Sequence, residues 1–131
     1  MTEDELFFFN TRMDALPLYE ALRERLLAAY PGAEIRAQKT QISFYDGHMF
    51  TCVSFLPVRG RGRGITVTFS GEEAIASPRV AACAQVSPHR VTHHVPVAGP
   101  EDIDGELMGW IAASHALAQR GKKRGKMEKS P

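Results

Sequence analysis

The amino-acid sequence predicts an α+β fold, in which a mostly antiparallel sheet of five to six strands is flanked by an N-terminal and a C-terminal helix packed on one face. Two observations lead to this prediction. Apolar residues recur every three or four positions near both ends of the chain, as in a helix, but at every second position between Ala33 and Val97, as in strands. A length of 131 residues suits one domain built around a single core.

The first long helix is predicted from Asp14 to Tyr30. Asp14 can cap its N-terminus, Pro17 lies in the first turn, where a missing N–H costs little, and Pro31 and Gly32 end it. The spacing of apolar residues predicts one buried stripe and a solvated opposite side. The stripe comprises Leu18, Tyr19, Leu22, Leu26 and Ala29, and the solvated side includes Arg23 and Arg25.

Strands follow, separated by turn signals. The clearest strand alternates Ile65, Val67 and Phe69 with threonine and serine. Asp46-Gly47 predicts a hairpin, and the sequence RGRGRG at 59–64 predicts a flexible loop. The predicted strands after the first are 41–45, 48–58, 65–70, 79–86 and 91–97, with a turn at 87–90 between the last two.

The first strand region contains a change of parity. Ile35 and Ala37 fall at odd positions but Ile42 and Phe44 at even ones, so one continuous strand could not direct all four toward the core. A bulge or break is therefore predicted within one residue of Lys39.

A second helix is predicted from Pro100 to Gln119, with acidic residues at the positive end of its dipole. Its apolar stripe comprises Ile103, Leu107, Trp110, Ile111 and Ala118. The chain is thus divided into an N-terminal arm (1–13), which contains a short helix that docks its phenylalanines, one α+β domain (14–119) and a basic disordered tail (120–131).

The tail differs from the rest of the chain in charge. It holds six of the sixteen basic residues and one of the fifteen acidic ones, which leaves ten basic and fourteen acidic residues in the body. A nucleic-acid-binding domain carries positive charge on its folded surface. The sequence therefore predicts no nucleic-acid partner, except for weak binding through the tail.

Several classes of protein are disfavoured by composition and motifs. No apolar run approaches the roughly 20 residues that span a bilayer, and the acidic N-terminus is unlike a secretory signal. Cys52 and Cys83 lie in strand-like segments, where free cysteine behaves as a small apolar residue. No CxxC or HExxH motif supplies the ligands of a zinc site. We expect a cytoplasmic protein with reduced thiols and without membrane contact, metal or cofactor.

Two histidines stand side by side in the predicted strand Thr92-His93-His94-Val95. Neighbours on a strand face opposite sides of the sheet. His93 shares the parity of the strand's valines and is predicted to face the helices as a structural residue. His94 is predicted to face the other side, so the two histidines do not form one site.

That other side of the sheet is predicted to be polar. It carries Gln41, Ser43 and His94, while Lys39 at the break and Arg79 at the start of a strand supply positive charge. Such a face can be solvated, hold a ligand or associate with a second copy. The sequence leaves these three interpretations open.

Four segments carry a further signal: QKTQISF at 38–44, SPRV at 77–80, THHV at 92–95 and DGELMGWI at 104–111. In this order and spacing they resemble a bacterial domain family of unknown function, DUF5655. The resemblance runs from about Asp14 to Ala118, implies a small α+β domain and attaches no activity to it. The positions to which it points are Lys39, Gln41, Ser43, Arg79, His93, His94 and Trp110, of which Trp110 and His93 are assigned structural roles.

The preferred prediction of function is a non-enzymatic binding module that holds an anionic small molecule, or an acidic segment of a partner, on the polar sheet face. Lys39 and Arg79 would take the negative charge, and Gln41, Ser43 and His94 would fix the orientation through hydrogen bonds.

Two alternatives belong to other classes of protein. One is a small enzyme that uses His94 as a general base beside Ser43 or Tyr45. The other is an interaction protein that forms a homodimer through the open sheet face. The sequence leaves both a monomer and a homodimer open.

Overall fold

The computed structural model describes the backbone of residues 1–55 and 64–128, and the side chains of those up to residue 120. The predicted loop at 59–64 lies outside these residues except for Gly64. The end of the strand predicted to reach Val58 and the last three residues of the chain also lie outside them. Within the described residues, no helix is both long and apolar enough to cross a membrane.

The described residues form three α-helices and six strands. In chain order these are α1 (Glu3–Phe8), α2 (Leu16–Ala29), β1 (Glu34–Ala37), β2 (Gln41–Asp46), β3 (His48–Ser54), β4 (Ile65–Gly71), β5 (Ala82–Ser87), β6 (Arg90–Val97) and α3 (Gly105–Glu128). Short 3-10 turns precede α2, at Met13–Ala15, and α3, at Pro100–Asp102.

The strands make one sheet in the order β1-β2-β3-β4-β6-β5, and every neighbouring pair is antiparallel. The buried residues of α2 and α3 share one core with one face of this sheet. The predicted α+β fold is therefore confirmed. Burial of apolar side chains at about 25 cal/mol per Å² supplies the main driving force for this two-layer packing.

The core consists of apolar residues at helical spacing on the helices and at alternate positions on the strands. Its buried members include Tyr19, Leu22, Leu26, Ile42, Phe44, Val53, Val67, Phe69, Val95, Val97, Leu107 and Ile111. Ser114 on α3 is also buried. Its hydroxyl can be buried because it accepts a hydrogen bond from Ser70 N (3.0 Å) and donates one to Phe50 O (2.6 Å). These bonds tie α3 to β3 and β4.

The break predicted at Lys39 is the turn of the hairpin between β1 and β2. Across it, Ala37 pairs with Ile42 and Ile35 with Phe44, so odd and even positions reach the same face. Lys39 itself is exposed at the tip of this turn.

The start of α2 differs from the prediction. Asp14 does not cap the helix: it lies in the preceding 3-10 turn, and its carboxylate is 3.6 Å from Arg12 Nε. The helix begins at Leu16 with Pro17 in its first turn, as predicted for the proline. Ala29 is exposed, since the stripe rotates away from the sheet at the last turn.

The predicted helix in the N-terminal arm is present as α1. Thr2 and Glu5 form a capping box, in which each side chain accepts a hydrogen bond from the other residue's backbone N–H, at 3.2 and 3.0 Å. Phe9 is fully buried and Phe8 half-buried, but Phe7 is 74% exposed. Only two of the three phenylalanines dock, because successive helical residues point about 100° apart.

A buried polar network joins this arm to α2. Glu5 is 1% exposed, and its carboxylate accepts hydrogen bonds from the Tyr19 hydroxyl and from Arg23 Nε, the latter at 2.7 Å. Arg23 therefore does not lie on the solvated side of α2, as the periodicity predicted. A carboxylate on a separate helix draws it inward, and periodicity within one helix does not report such a partner.

The last helix begins later and continues further than predicted. Asp104 caps it by accepting a hydrogen bond from Leu107 N at 3.0 Å. The helical backbone continues from Gln119, its predicted end, to Glu128. The lysines and arginines beyond Gln119 are good helix formers and suit the negative end of the helix dipole, which offsets the glycines among them.

Candidate functional site

The open face of the sheet, which the helices do not cover, carries a row of polar side chains set by strand register. Ser43 pairs with Cys52, Cys52 with Thr68, and Thr68 with His94. Residues directly opposite one another on neighbouring antiparallel strands have Cβ atoms about 4.5–5.5 Å apart. Four strands thus bring a hydroxyl, a thiol, a second hydroxyl and an imidazole into one line.

A cavity of about 520 Å³ opens over one end of this row. We refer to it as the Lys39 cavity. It is lined by Phe8, Thr11, Lys39, Thr40, Gln41, Cys52, Ser54, Phe55, Thr68 and His94. The β1–β2 turn, the end of β3 and the segment between α1 and α2 form its rim.

His94 contributes its imidazole to the cavity wall. Its Nδ1 is 2.8 Å from the Thr68 hydroxyl oxygen. The pKa of His94 is below its usual value, mainly because the ring is buried and to a smaller extent because His93 is its neighbour. The ring is therefore neutral at pH 7. Because Nδ1 is bonded to Thr68, Nε2 is the ring nitrogen left for a ligand, as donor or acceptor according to the tautomer.

Cys52 lies beside this pair and is 6% exposed. Burial raises the pKa of its thiol, and a hydrogen bond from Thr68 opposes that change only in part. The thiol is therefore protonated at neutral pH. It is a small, soft part of the cavity surface rather than an activated nucleophile.

Lys39 and Gln41 border the cavity, whereas Ser43 lies beneath it. Within residues 1–55 and 64–120, Lys39 makes no ion pair and no hydrogen bond. Gln41 Nε2 donates to the Ser43 hydroxyl at 2.7 Å, and that hydroxyl lies 3.4 Å from Gln38 Oε1. Ser43 is fully buried, so its part is to orient Gln41.

Arg79 is separated from the other predicted ligand-binding residues. It lies on the helix-covered side, where its Nη1 contacts Asp104 and Glu106 carboxylates, each at 2.9 Å. Its guanidinium also stacks over Trp110 at 5.5 Å from the ring centroid. Two carboxylates at the start of α3 neutralise this charge. The structure therefore brings Lys39, Gln41 and His94 together, but not Arg79.

His93 is fully buried on the helix-covered face. Its ring stacks on Phe69 with centroids 5.3 Å apart, and its Nε2 accepts a hydrogen bond from Ile75 N at 3.1 Å. Trp110 stacks on the other side of the same cluster, 5.8 Å from Phe69. Both residues therefore fix the packing between β6, β4 and α3.

Several cavity residues were not predicted from the sequence. The sequence predicts Cys52 only to be a small apolar residue in a strand. Phe8, Thr11 and Phe55 give no signal because they reach the cavity from outside the regular strands. The parity of Cys52 relative to Val53 could have placed it on the open face. Among the described residues, no cluster of histidine, cysteine or acidic side chains could hold a metal ion.

The depressed pKa of His94 predicts a pH dependence of stability. The unfolded chain takes up a proton near pH 6.5 and the folded chain only at lower pH, so this contribution is complete above about pH 6.5 and is lost as the pH falls. We expect the free energy of unfolding, measured by urea titration between about pH 5 and 8, to fall with a shallower slope in His94→Gln than in the wild type. One proton limits the difference in slope to about 1.4 kcal/mol per pH unit. Equal slopes in both proteins would contradict the prediction.

Comparison with known proteins gives one match. Residues 7–118 match the family model of a domain of unknown function, DUF5655. The matched region contains all six strands, α2 and the Lys39 cavity. No curated protein and no solved structure gives a significant match.

Proposed function

The chain belongs to the DUF5655 family, and we propose that this domain is a binding module that holds an anionic small molecule in the Lys39 cavity. One observation carries the proposal. Among the described residues, the cavity lining contains one cation, Lys39, and no aspartate or glutamate, although the body of the chain carries more acidic than basic residues.

The cavity supplies both parts of a small-molecule site. Lys39 provides the charge that attracts an anion, while Gln41 provides an amide and His94 a ring nitrogen, Nε2, at positions that Ser43 and Thr68 fix. Apolar surface comes from Phe8 and Phe55, whose rings stack with centroids 4.9 Å apart. A mostly apolar wall with a few oriented polar groups is typical of small-molecule sites.

A second cation lies behind this wall. The Arg12 guanidinium sits over the Phe55 ring, 4.9 Å from its centroid, and Arg12 Nη2 donates to Gly64 O at 3.3 Å. Arg12 also lies near Asp14, which offsets part of its charge. Arg12 therefore supports Phe55, and Lys39 is the cation that a ligand in the cavity would meet.

The catalytic alternative has less support. The hydroxyl next to His94 belongs to Thr68, while Ser43 is buried against Gln41 and Gln38. Tyr45 lies under the guanidinium of Arg36, 4.0 Å from its ring centroid. The homodimeric alternative stays a prediction, which the mass of the protein in solution would test.

The native thiols allow a direct test of anion preference. Cys52 lines the cavity and Cys83 is exposed on β5, so each protein carries its own reference thiol. We expect the ratio of alkylation rates with iodoacetate, an anion, to those with iodoacetamide, a neutral reagent, to be higher at Cys52 than at Cys83. One unit charge across a partly solvated cavity contributes about 1 kcal/mol, which is roughly five-fold in this ratio.

The ratio of iodoacetate to iodoacetamide alkylation rates at Cys52 also tests whether Lys39 supplies the charge that attracts the anion. In Lys39→Gln the preference at Cys52 should disappear, whereas in Arg36→Gln, a change on β1 outside the cavity lining, it should persist. A ratio at Cys52 that matches Cys83 in the wild type would refute the anion site. Native mass spectrometry of untagged protein purified from cells would then identify any ligand retained by the wild type and lost from Lys39→Gln.

A further inference from the structure

A second cavity, of about 600 Å³, lies at the other end of the sheet. We refer to it as the Arg90 cavity. The β2–β3 turn, the end of β4 and the β5–β6 turn converge there, since Asp46 pairs with His48, and Gly71 with Val91. The later part of α3 passes alongside. Its lining comprises His48, Glu72, Ser87, Pro88, His89, Arg90, Leu117, Ala118 and Arg120.

The charged lining of this cavity is unbalanced. Among the described residues, four nitrogen-bearing side chains converge there from three segments of the chain, and they face one carboxylate, Glu72. They are His48, His89, Arg90 and Arg120. Glu72 is engaged by Arg120 in an ion pair. That pair fixes the Arg120 side chain at the rim and leaves the charge of Arg90 without an acidic partner.

Arg90 is the cation that a ligand would meet. Among the described residues it forms no ion pair, and its Nε donates a long hydrogen bond to the Ser70 hydroxyl at 3.4 Å. Its two terminal nitrogens are thus available as a planar fork, the geometry that matches two oxygens of a phosphate group.

The two imidazoles suit the same ligand. His48 and His89 are both exposed, and no third histidine, cysteine or acidic side chain among the described residues completes a metal site with them. Imidazole nitrogens can donate hydrogen bonds to phosphate oxygens, and the rings offer flat surfaces for stacking. Pro88, Leu117 and Ala118 add apolar surface to the lining.

We propose that the Arg90 cavity binds the phosphate group of a small phosphorylated molecule. Arg90 binds the phosphate through its guanidinium fork, and His48 and His89 complete the set of donors. This site is separate from the Lys39 cavity and does not depend on the function proposed there.

The test uses inorganic pyrophosphate and the full-length chain in isothermal titration calorimetry. We expect wild-type protein to bind pyrophosphate, and Arg90→Gln to weaken the affinity by about ten-fold or more, as the loss of a bidentate charged contact requires. His89→Gln should also weaken it. Arg36→Gln, which removes an exposed arginine outside both cavities, should stay within about two-fold of the wild type.

Arg90 and His89 are exposed, so their replacement does not disturb the core. A loss of pyrophosphate binding in these variants can therefore be distinguished from unfolding. If wild-type protein shows no binding at about 10 mM pyrophosphate, or if Arg90→Gln binds as tightly as the wild type, the proposal is overturned. ADP distinguishes the source of the phosphate. Tighter binding of ADP than of pyrophosphate would indicate a nucleotide whose base stacks on an imidazole, and equal binding would indicate recognition of phosphate alone.

Discussion

Replacing Arg23 with methionine is expected to lower the free energy of unfolding by about 3–5 kcal/mol, measured by urea denaturation at pH 7. The change leaves the Glu5 carboxylate buried, at 1% exposure, with no cation against it. The aliphatic part of methionine retains much of the packing, so most of the loss comes from the unpaired charge.

Two further variants test whether the loss of stability comes from the unpaired charge of Glu5. Arg36→Met removes the arginine of the exposed Glu34–Arg36 pair, and it should leave the urea midpoint close to that of the wild type. The double variant Glu5→Gln with Arg23→Met should be more stable than Arg23→Met alone, because no charge is then buried without a partner. If the single and the double variant are equally destabilised, the loss arises from packing and the electrostatic explanation is wrong.

The wild-type network also predicts a response to acid. Burial raises the pKa of Glu5, but hydrogen bonds from Arg23, Thr2 and Tyr19 together outweigh it and leave the pKa below the usual value. The stabilisation is therefore present above pH 4.5 and is lost as the pH falls through the folded-state pKa. The N-terminal arm should detach first, since Glu5 is its buried charged contact with α2.

Gly64→Ala is expected to destabilise the domain by about 3 kcal/mol or more, seen as a lower urea midpoint. Gly64 has φ of 90°, which L-residues rarely adopt, and a Cβ there would lie 2.0 Å from Val97 O. Val97 pairs with Ile65, the residue that follows Gly64, so Val97 O cannot move away without loss of that pairing.

The matched control is Gly109→Ala on α3. A Cβ at Gly109 meets nothing within 4 Å, and alanine is a better helix former than glycine, so this variant should gain about 0.5–1 kcal/mol. A Gly64→Ala protein as stable as the wild type would show that the approach to Val97 is not rigid. It would also weaken the view that Arg12, which donates to Gly64 O, is fixed behind Phe55.

The faces of the strands were predictable because alternation is a local property. Gln41 and His94 could be assigned to one face and His93 to the other from parity alone, and the structure places them so. The parity break at Lys39 likewise marked a real turn. Each of these inferences depends on residues within a few positions of one another.

Neighbours across the sheet could not be predicted from the sequence. Parity placed Ser43 and His94 on the same face, but it did not reveal that Thr68 and Cys52 stand between them. That arrangement depends on strand order, and β6 lies between β4 and β5 rather than at the edge. Strand order is decided by which long-range pairings bury the most apolar surface, a property of the whole fold.

Charge partners were the least predictable feature. Arg79 and Lys39 looked equivalent as cations near the polar face, yet Arg79 is bound by Asp104 and Glu106, which follow it by about 25 residues, whereas Lys39 meets no carboxylate within the described residues. Helical periodicity predicts a solvated Arg23, but in the structure Arg23 forms an ion pair with Glu5 of the arm. The sequence by itself determined the fold class and the faces of its strands, because hydrophobic periodicity is local. Only the tertiary structure decided which cations are neutralised and which stay available to a ligand, because ion pairs form between side chains that folding brings together.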